Sequence, residues 1–391
     1  MASSLKPKEI IRALAIEELI FSTVTEESYR KGTSLLNRVL HRSDEESFKE
    51  RTLKDHVCAV GREYKSDLNT KADTILEEYG FSTDGLTPPE DLTGIIPGPD
   101  LFDHTDPTQY FMDTIQSFNE GKMEEAQIKN MIRVSETETD PDECTYIFLD
   151  DVGVGHQKDT RKDGGTKTGK RVENTVIRVQ SSKGSYSITD VGMDNALRLL
   201  LAFLIFTGEI MTKKLCFFSD GAANIRKGLE RYFAFTNYTL HLDWYHLEKH
   251  LDETLSMALW KQARDILQPV LFSMLWAGNV EEAIEYLESL KPFHNVVKNA
   301  NRLQEAIDYL GKKNPYVDCY ALCKECGYIN SSNPAEKEND ILVAMRQKHN
   351  GMSWSYAGSS SLAVIESARR NDELMQWLAN GKQSFSFHAQ A

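Results

Sequence analysis

Four carboxylates in this chain are placed where they could do chemistry. Asp150 and Asp151 interrupt an apolar run (CTYIFLDDVGV, 144–154), Asp220 ends another (LCFFSD, 215–220), and Glu336 follows Asn333-Pro334 at the start of a helical pattern. No His, Lys or nucleophile converges on them in the sequence, and carboxylates by themselves point to a hard cation with oxygen ligands. Three such acids can hold two Mg²⁺ (or Mn²⁺) ions, one activating an attacking oxygen and the other stabilising the leaving one in phosphoryl transfer. Each acid also has a plainer reading. Asp220-Gly221 can be a turn, Asp150-Asp151 a solvated strand end, and Glu336 a capping-box residue.

The elements that would position these acids are legible from periodicity. Residues 215–218 form a short apolar strand, 222–232 a helix with Ile225, Leu229 and Phe233 on one face, and 238–242 a second strand that closes in Asp243-Trp244-Tyr245-His246. Upstream, 144–154, 171–180 and 185–191 are short, β-branched and aromatic. The last two are joined by the tight turn Ser182-Lys183-Gly184, and together the three read as an antiparallel meander. An apolar helix over 194–208 connects the meander to the strand ending at Asp220. The expected order is β-β-β-α-β-α-β, followed by a long helical region with Leu251, Leu255, Leu271, Leu287 and Leu290 that reads as an insertion. In the helix after it Asn333 can cap, Pro334 suits the first position and Glu336 falls three after the cap.

Residues 1–135 read as helical, with residues 82–107 a loop rich in Pro, Gly and Asp and 107–133 a further helix. The stretch around residues 51–61 admits a helix-turn-helix or a plain helical bundle. An acidic boundary, ETETDPDE at 136–143, separates this third from the strands. The predicted domains are therefore 1–135, helical and a candidate DNA-binding unit; 144–246 with 327–380, the sheet; and 247–326, the helical insertion.

Composition limits the partners. The chain has 391 residues, of which 40% are hydrophobic and 27% charged, as expected of a globular protein with a sizeable core. Six cysteines set mostly in apolar runs predict reduced thiols, and with no apolar run of spanning length and no leader pattern the expected location is cytoplasmic. A formal net charge of −14 is unusual for a protein that binds nucleic acid. The charge is unevenly distributed, however. Lys158, Arg161, Lys162, Lys167, Lys170 and Arg171, among three glycines, make a basic loop that is either a solvated hairpin tip or a phosphate contact. A zinc site from His241, His246 and His250 is disfavoured because no cysteine is near, and Cys323-x-x-Cys326 is a lone half-site.

The order of these features resembles the RNase H-like catalytic domain of DDE transposases. SDGAANI at 219–225 is similar to the family's second-Asp motif and LDWYH at 242–246 to its Asp-x-x-His signature. SNPAEKENDILVAMRQKHNGMSWS at 332–355 is similar to the segment bearing the catalytic Glu in a group of bacterial insertion-sequence transposases. The resemblance spans about residues 144–375. It implies an α/β, RNase H-like mixed sheet, an antiparallel meander plus parallel strands, with an all-α insertion. It implies Asp150, Asp220 and Glu336 as ligands of two metal ions, with Asp151 the rival for the first place and Asp243 and His246 in support. The activity implied is cleavage and strand transfer of transposon ends, on double-stranded DNA and in a homo-oligomer. An RNase H-like nuclease that does not join strands, or a domesticated and catalytically idle DNA-binding or interaction protein, are the alternatives.

Overall fold

A computed structural model describes residues 14–43, 47–93, 95–96, 144–157, 170–236, 238–325, 329, 331–348 and 352–388. The helix expected over 107–133 and most of the basic loop, Lys158 to Lys167, lie outside them. Five strands form one sheet: β1 (Cys144–Gly155), β2 (Arg171–Ser181), β3 (Gly184–Val191), β4 (Lys214–Ser219) and β5 (Tyr238–Leu242), in the order β3-β2-β1-β4-β5. β1 pairs antiparallel with β2, and β2 with β3; β1 and β4, and β4 and β5, run parallel. The sheet is mixed, as the alternation and turn chemistry predict. β1 is its centre, and residues 144–149 are buried without the alternation of a half-exposed strand, because helices cover both faces.

The helices between strands follow from their apolar stripes. α4 (Met193–Phe206) is buried nearly all round, from Ala196 to Ile205, and after the single turn α5 (Glu209–Thr212) the chain enters β4. α6 (Ala223–Phe233) buries Ile225, Leu229 and Phe233, the face expected from their spacing, and returns to β5. A helical block follows: α7 (Trp244–Ala258), α8 (Lys261–Trp276), α9 (Val280–Leu290), α10 (Ala300–Lys313) and α11 (Tyr320–Glu325). These helices have a core of their own, including Leu247, Leu251, Leu255, Leu275, Leu287, Leu303 and Tyr320, distinct from the cluster that holds the sheet. α12 (Asn333–Asn339) then runs through a π-helical stretch, Asp340–Ala344, to Gln347, and α13 (Tyr356–Arg370) and α14 (Leu374–Asn380) complete the chain.

The N-terminal helices α1 (Leu14–Glu26), α2 (Tyr29–Val39) and α3 (Glu50–Glu78) do not stand apart from the sheet. Ile20, Leu53, Val57 and Tyr64 join Ile147, Leu200, Phe217 and Leu362 in one cluster. The helix-turn-helix reading of residues 51–61 is corrected by α3 itself, which continues for 29 residues without a turn. Gly61 marks a helix crossing: a Cβ there would lie 2.5 Å from the Ser361 Cβ and 2.6 Å from its carbonyl oxygen, so only glycine lets α3 approach α13 this closely.

Candidate functional site

Parallel pairing of β1 and β4 sets the site. Phe148 stands opposite Phe218, and two residues farther along each strand are Asp150 and Asp220, delivered side by side at the carboxyl ends of neighbouring strands. Both are partly buried. Burial pushes the Asp150 carboxyl up from its ordinary 3.8 to about 6; Asp220 and Asp151 add to the rise, while the Asp151 backbone N–H and His246 oppose it. Burial also raises Asp151, with a contribution from Asp220, against hydrogen bonds from Thr175 and Asn224. Negative charge is thus gathered at this edge against its own repulsion.

The donors that serve these acids are neutral. Asp150 Oδ1 accepts from the Asp151 N–H at 2.8 Å and Oδ2 from Asn339 Nδ2 at 2.5 Å. Asp151 accepts from Thr175 Oγ1 and from Asn224 Nδ2, each at 2.6 Å. Asp220 Oδ1 accepts from the Ala222 N–H at 2.7 Å, fixing the turn into α6. The nearby cation is Lys313, at the end of α10, but its Nζ donates to the main-chain carbonyls of Asp220, at 3.1 Å, and Gly221. Gly221 has φ 66°, and a Cβ there would come within 2.7 Å of that Nζ, so a glycine is required for lysine to reach the turn. Burial lowers the Lys313 pKa, while Asp220 opposes the fall.

Glu336 enters from α12, whose residues pack against β1 and β2. Its Oε1 lies 3.2 Å from His246 Nε2. This corrects the capping-box reading: the N-cap is Ser332, not Asn333, and the Glu336 side chain turns to His246 instead of back to the helix start. Asp243, almost fully buried, makes the connection between the two segments. It caps α7 by accepting from the His246 N–H at 3.0 Å, and its other oxygen accepts from the Ser332 N–H. Asp243 therefore clamps the start of the helical block to the approach of α12, and His246, one turn into α7, meets Glu336.

The structure brings Asp150, Asp151 and Asp220 to one edge and joins Glu336 to it through His246. They are not drawn into a closed ligand set: among the described residues no group of three or more His, Cys, Asp or Glu side chains is arranged to hold a metal ion. The donor chemistry nevertheless fits a hard cation, being oxygen-only, crowded with like charge and raised in pKa. The other histidines are engaged elsewhere. His241 pairs with Asp318 at 2.9 Å and His250 packs on Tyr309 with ring centroids 4.0 Å apart. Lys170 and Arg171, which stay exposed where β2 begins, are the described part of the basic loop.

Sequence reasoning missed Asn339, Asn224, Thr175 and Lys313. Asn339 carried a signal, since it lies three residues after Glu336 and so near it on a helix. Lys313 carried none, because it comes from the block rather than the sheet. No family model matches this chain, and no curated protein or solved structure is detectably similar to it.

Proposed function

We propose that this chain is a DDE-type transposase, a metal-dependent enzyme that cleaves and joins DNA strands at element ends, built on an RNase H-like sheet. The observation that carries the reading is the placement of Asp150 beside Asp220 on adjacent parallel strands, with its carboxyl lifted to about 6 by burial and by its acidic neighbours. A meander leading into two parallel strands, with β1 central, supports the RNase H-like assignment. Asp150, Asp220 and Glu336 would hold two Mg²⁺ or Mn²⁺ ions, with Asp151 the alternative first ligand; bound there, the ions would activate the attacking oxygen and stabilise the leaving one.

The chain's own residues set the geometry. Asn339 fixes one oxygen of Asp150, leaving the carboxylate little freedom to turn from Asp220. Asp243 holds the approach to α12 in place, and with it the helix that carries Glu336. Lys313 stiffens the turn after Asp220 through its carbonyls. The substrate would be double-stranded DNA, processed by a homo-oligomer.

The Glu336–His246 pair and the open arrangement of the acids favour a second reading, a domesticated, catalytically idle DNA-binding or interaction protein. One experiment separates the two: incubation with end-labelled element DNA and Mg²⁺ or Mn²⁺, scored for cleaved and joined products. Joined products are expected. Cleavage without joining identifies a nuclease, and bound but uncut DNA supports the idle protein.

Among the described residues no helix is long and apolar enough to cross a membrane.

A further inference from the structure

Beside α12 there is a cavity of about 580 Å³ whose wall includes Arg178, Lys337, Glu338, Arg370 and His388. Its charge is out of keeping with an acidic protein. Arg178 Nη1 and Arg370 Nε both converge on one oxygen of Glu338, at 2.8 and 3.2 Å, and the Ser187 hydroxyl donates to the same atom at 3.1 Å. A single carboxylate cannot neutralise two guanidinium groups. Lys337 is exposed and adds a further cation, while Arg369 is already matched by Glu366 at 2.9 Å. Asp372 is the remaining acid on the wall.

His388 lies in the same field. Burial first, then Arg178 and Arg370, hold its imidazole below the ordinary value, with Asp372 and Glu338 acting the other way. Ser185 Oγ accepts from Arg178 Nη2 and lies 3.5 Å from His388 Nε2. His388 Nδ1 is buried and has no hydrogen-bond partner among the described residues. A second cavity, of about 430 Å³, shares Arg369, Arg370 and Asp372 with the first and continues past Phe21, Leu374 and Met375.

We propose that a backbone phosphate of a nucleic-acid strand is held in this cavity by Arg370 and Lys337. The proposal rests on the reading of the acidic edge as a DNA-processing site, since α12 carries Glu336 and also lines the cavity with Asn333, Pro334, Lys337 and Glu338. A strand lying in the cavity would be presented to Glu336 by the same helix.

The test is the salt dependence of binding to a fluorescein-labelled DNA duplex, followed by anisotropy. Replacing Lys337 and Arg370 together by Gln should flatten the plot of log affinity against log salt by about 1 to 2, because each lost phosphate contact removes roughly 0.9. Lys337→Gln alone, at an exposed position, should flatten it by about 1 and leaves the Glu338 pairs intact. Asp150→Asn should keep the wild-type slope. A wild-type slope in both the Lys337→Gln chain and the double variant overturns the proposal. If Asp150→Asn instead cuts DNA as well as the parent, the reading of the acidic edge fails, and the slopes still decide the cavity.

Discussion

Two sets of acids in this protein meet burial in opposite ways. Glu338, Asp190 and Glu209 are almost fully enclosed and each has a cation: Arg178 and Arg370 for Glu338, Lys65 for Asp190, and Lys183 for Glu209. Asp150 and Asp151 are less enclosed, yet they face a third aspartate and receive hydrogen bonds from amides and a hydroxyl only. These three buried charges are each matched by an opposite charge, because an unmatched buried charge costs several kcal/mol. A charge held against like charge marks a place where something else is expected to bind.

The comparison breaks most sharply at Asp150. Asp150→Asn should lower DNA cleavage on the order of a thousandfold or more, as for residues that act as a unit in catalysis, while the chain stays folded. Asp220→Ala and Glu336→Ala should do the same. If Asp150→Asn keeps cutting and Asp151→Asn does not, Asp151 is the first ligand.

Glu338→Gln should do the reverse. It leaves Arg178 buried without a counter-charge, which destabilises by about 3–5 kcal/mol, read as a lower midpoint in urea unfolding. A midpoint within experimental error of wild type would mean that the two arginines are already neutralised by solvent.

A third measurement sharpens the contrast through pH. The Asp150 carboxyl is raised to about 6 when folded, against 3.8 ordinarily, so the folded state holds its proton more tightly than the unfolded chain does. The associated stability is complete below the unfolded value and is lost as pH rises through about 6, amounting to roughly 2–3 kcal/mol at neutral pH. Unfolding free energies of wild type and Asp150→Asn, compared across that range, should diverge by this amount in favour of Asn. A gap that does not change with pH would mean that the like charges are relieved in solution.

The smallest effect belongs to pairs that are exposed. Arg302 and Glu305 lie 2.6 Å apart with about half of each side chain in solvent. Breaking them with Arg302→Ala should change stability by no more than about 0.5 kcal/mol. Geometry as close as that around Glu338 has little value without burial, and a larger loss here would undo the distinction.

What the sequence showed was local. The meander, the strands ending at Asp220 and Asp243, and the amphipathic face of α6 came from periodicity and turn residues, and the mixed sheet agrees with them. What it hid was long-range. Nothing in residues 50–78 indicates that Gly61 presses against Ser361, and a continuous α3 was indistinguishable from two short helices until α13 was seen to pack along it. The partner of Glu336 was hidden for a related reason. Asn333 and Glu336 have the spacing of a cap, but His246 offers Glu336 a partner from across the fold, and that contact displaces the local one. Lys313 and Asn339 likewise act on residues 92 and 189 positions away.

The bond from the Ser332 N–H to Asp243 spans 89 positions, and nearly all of them belong to the helical block. Closing so long a loop is entropically slow unless the intervening chain has first become compact. The block, with its own core, supplies that compaction. The order of events in folding is thereby constrained: the strands bearing Asp150 and Asp220 can pair early, while Glu336 docks only after α7 to α11 have assembled. On the ribosome a chain released before residue 336 would carry Asp150 and Asp220 without Glu336.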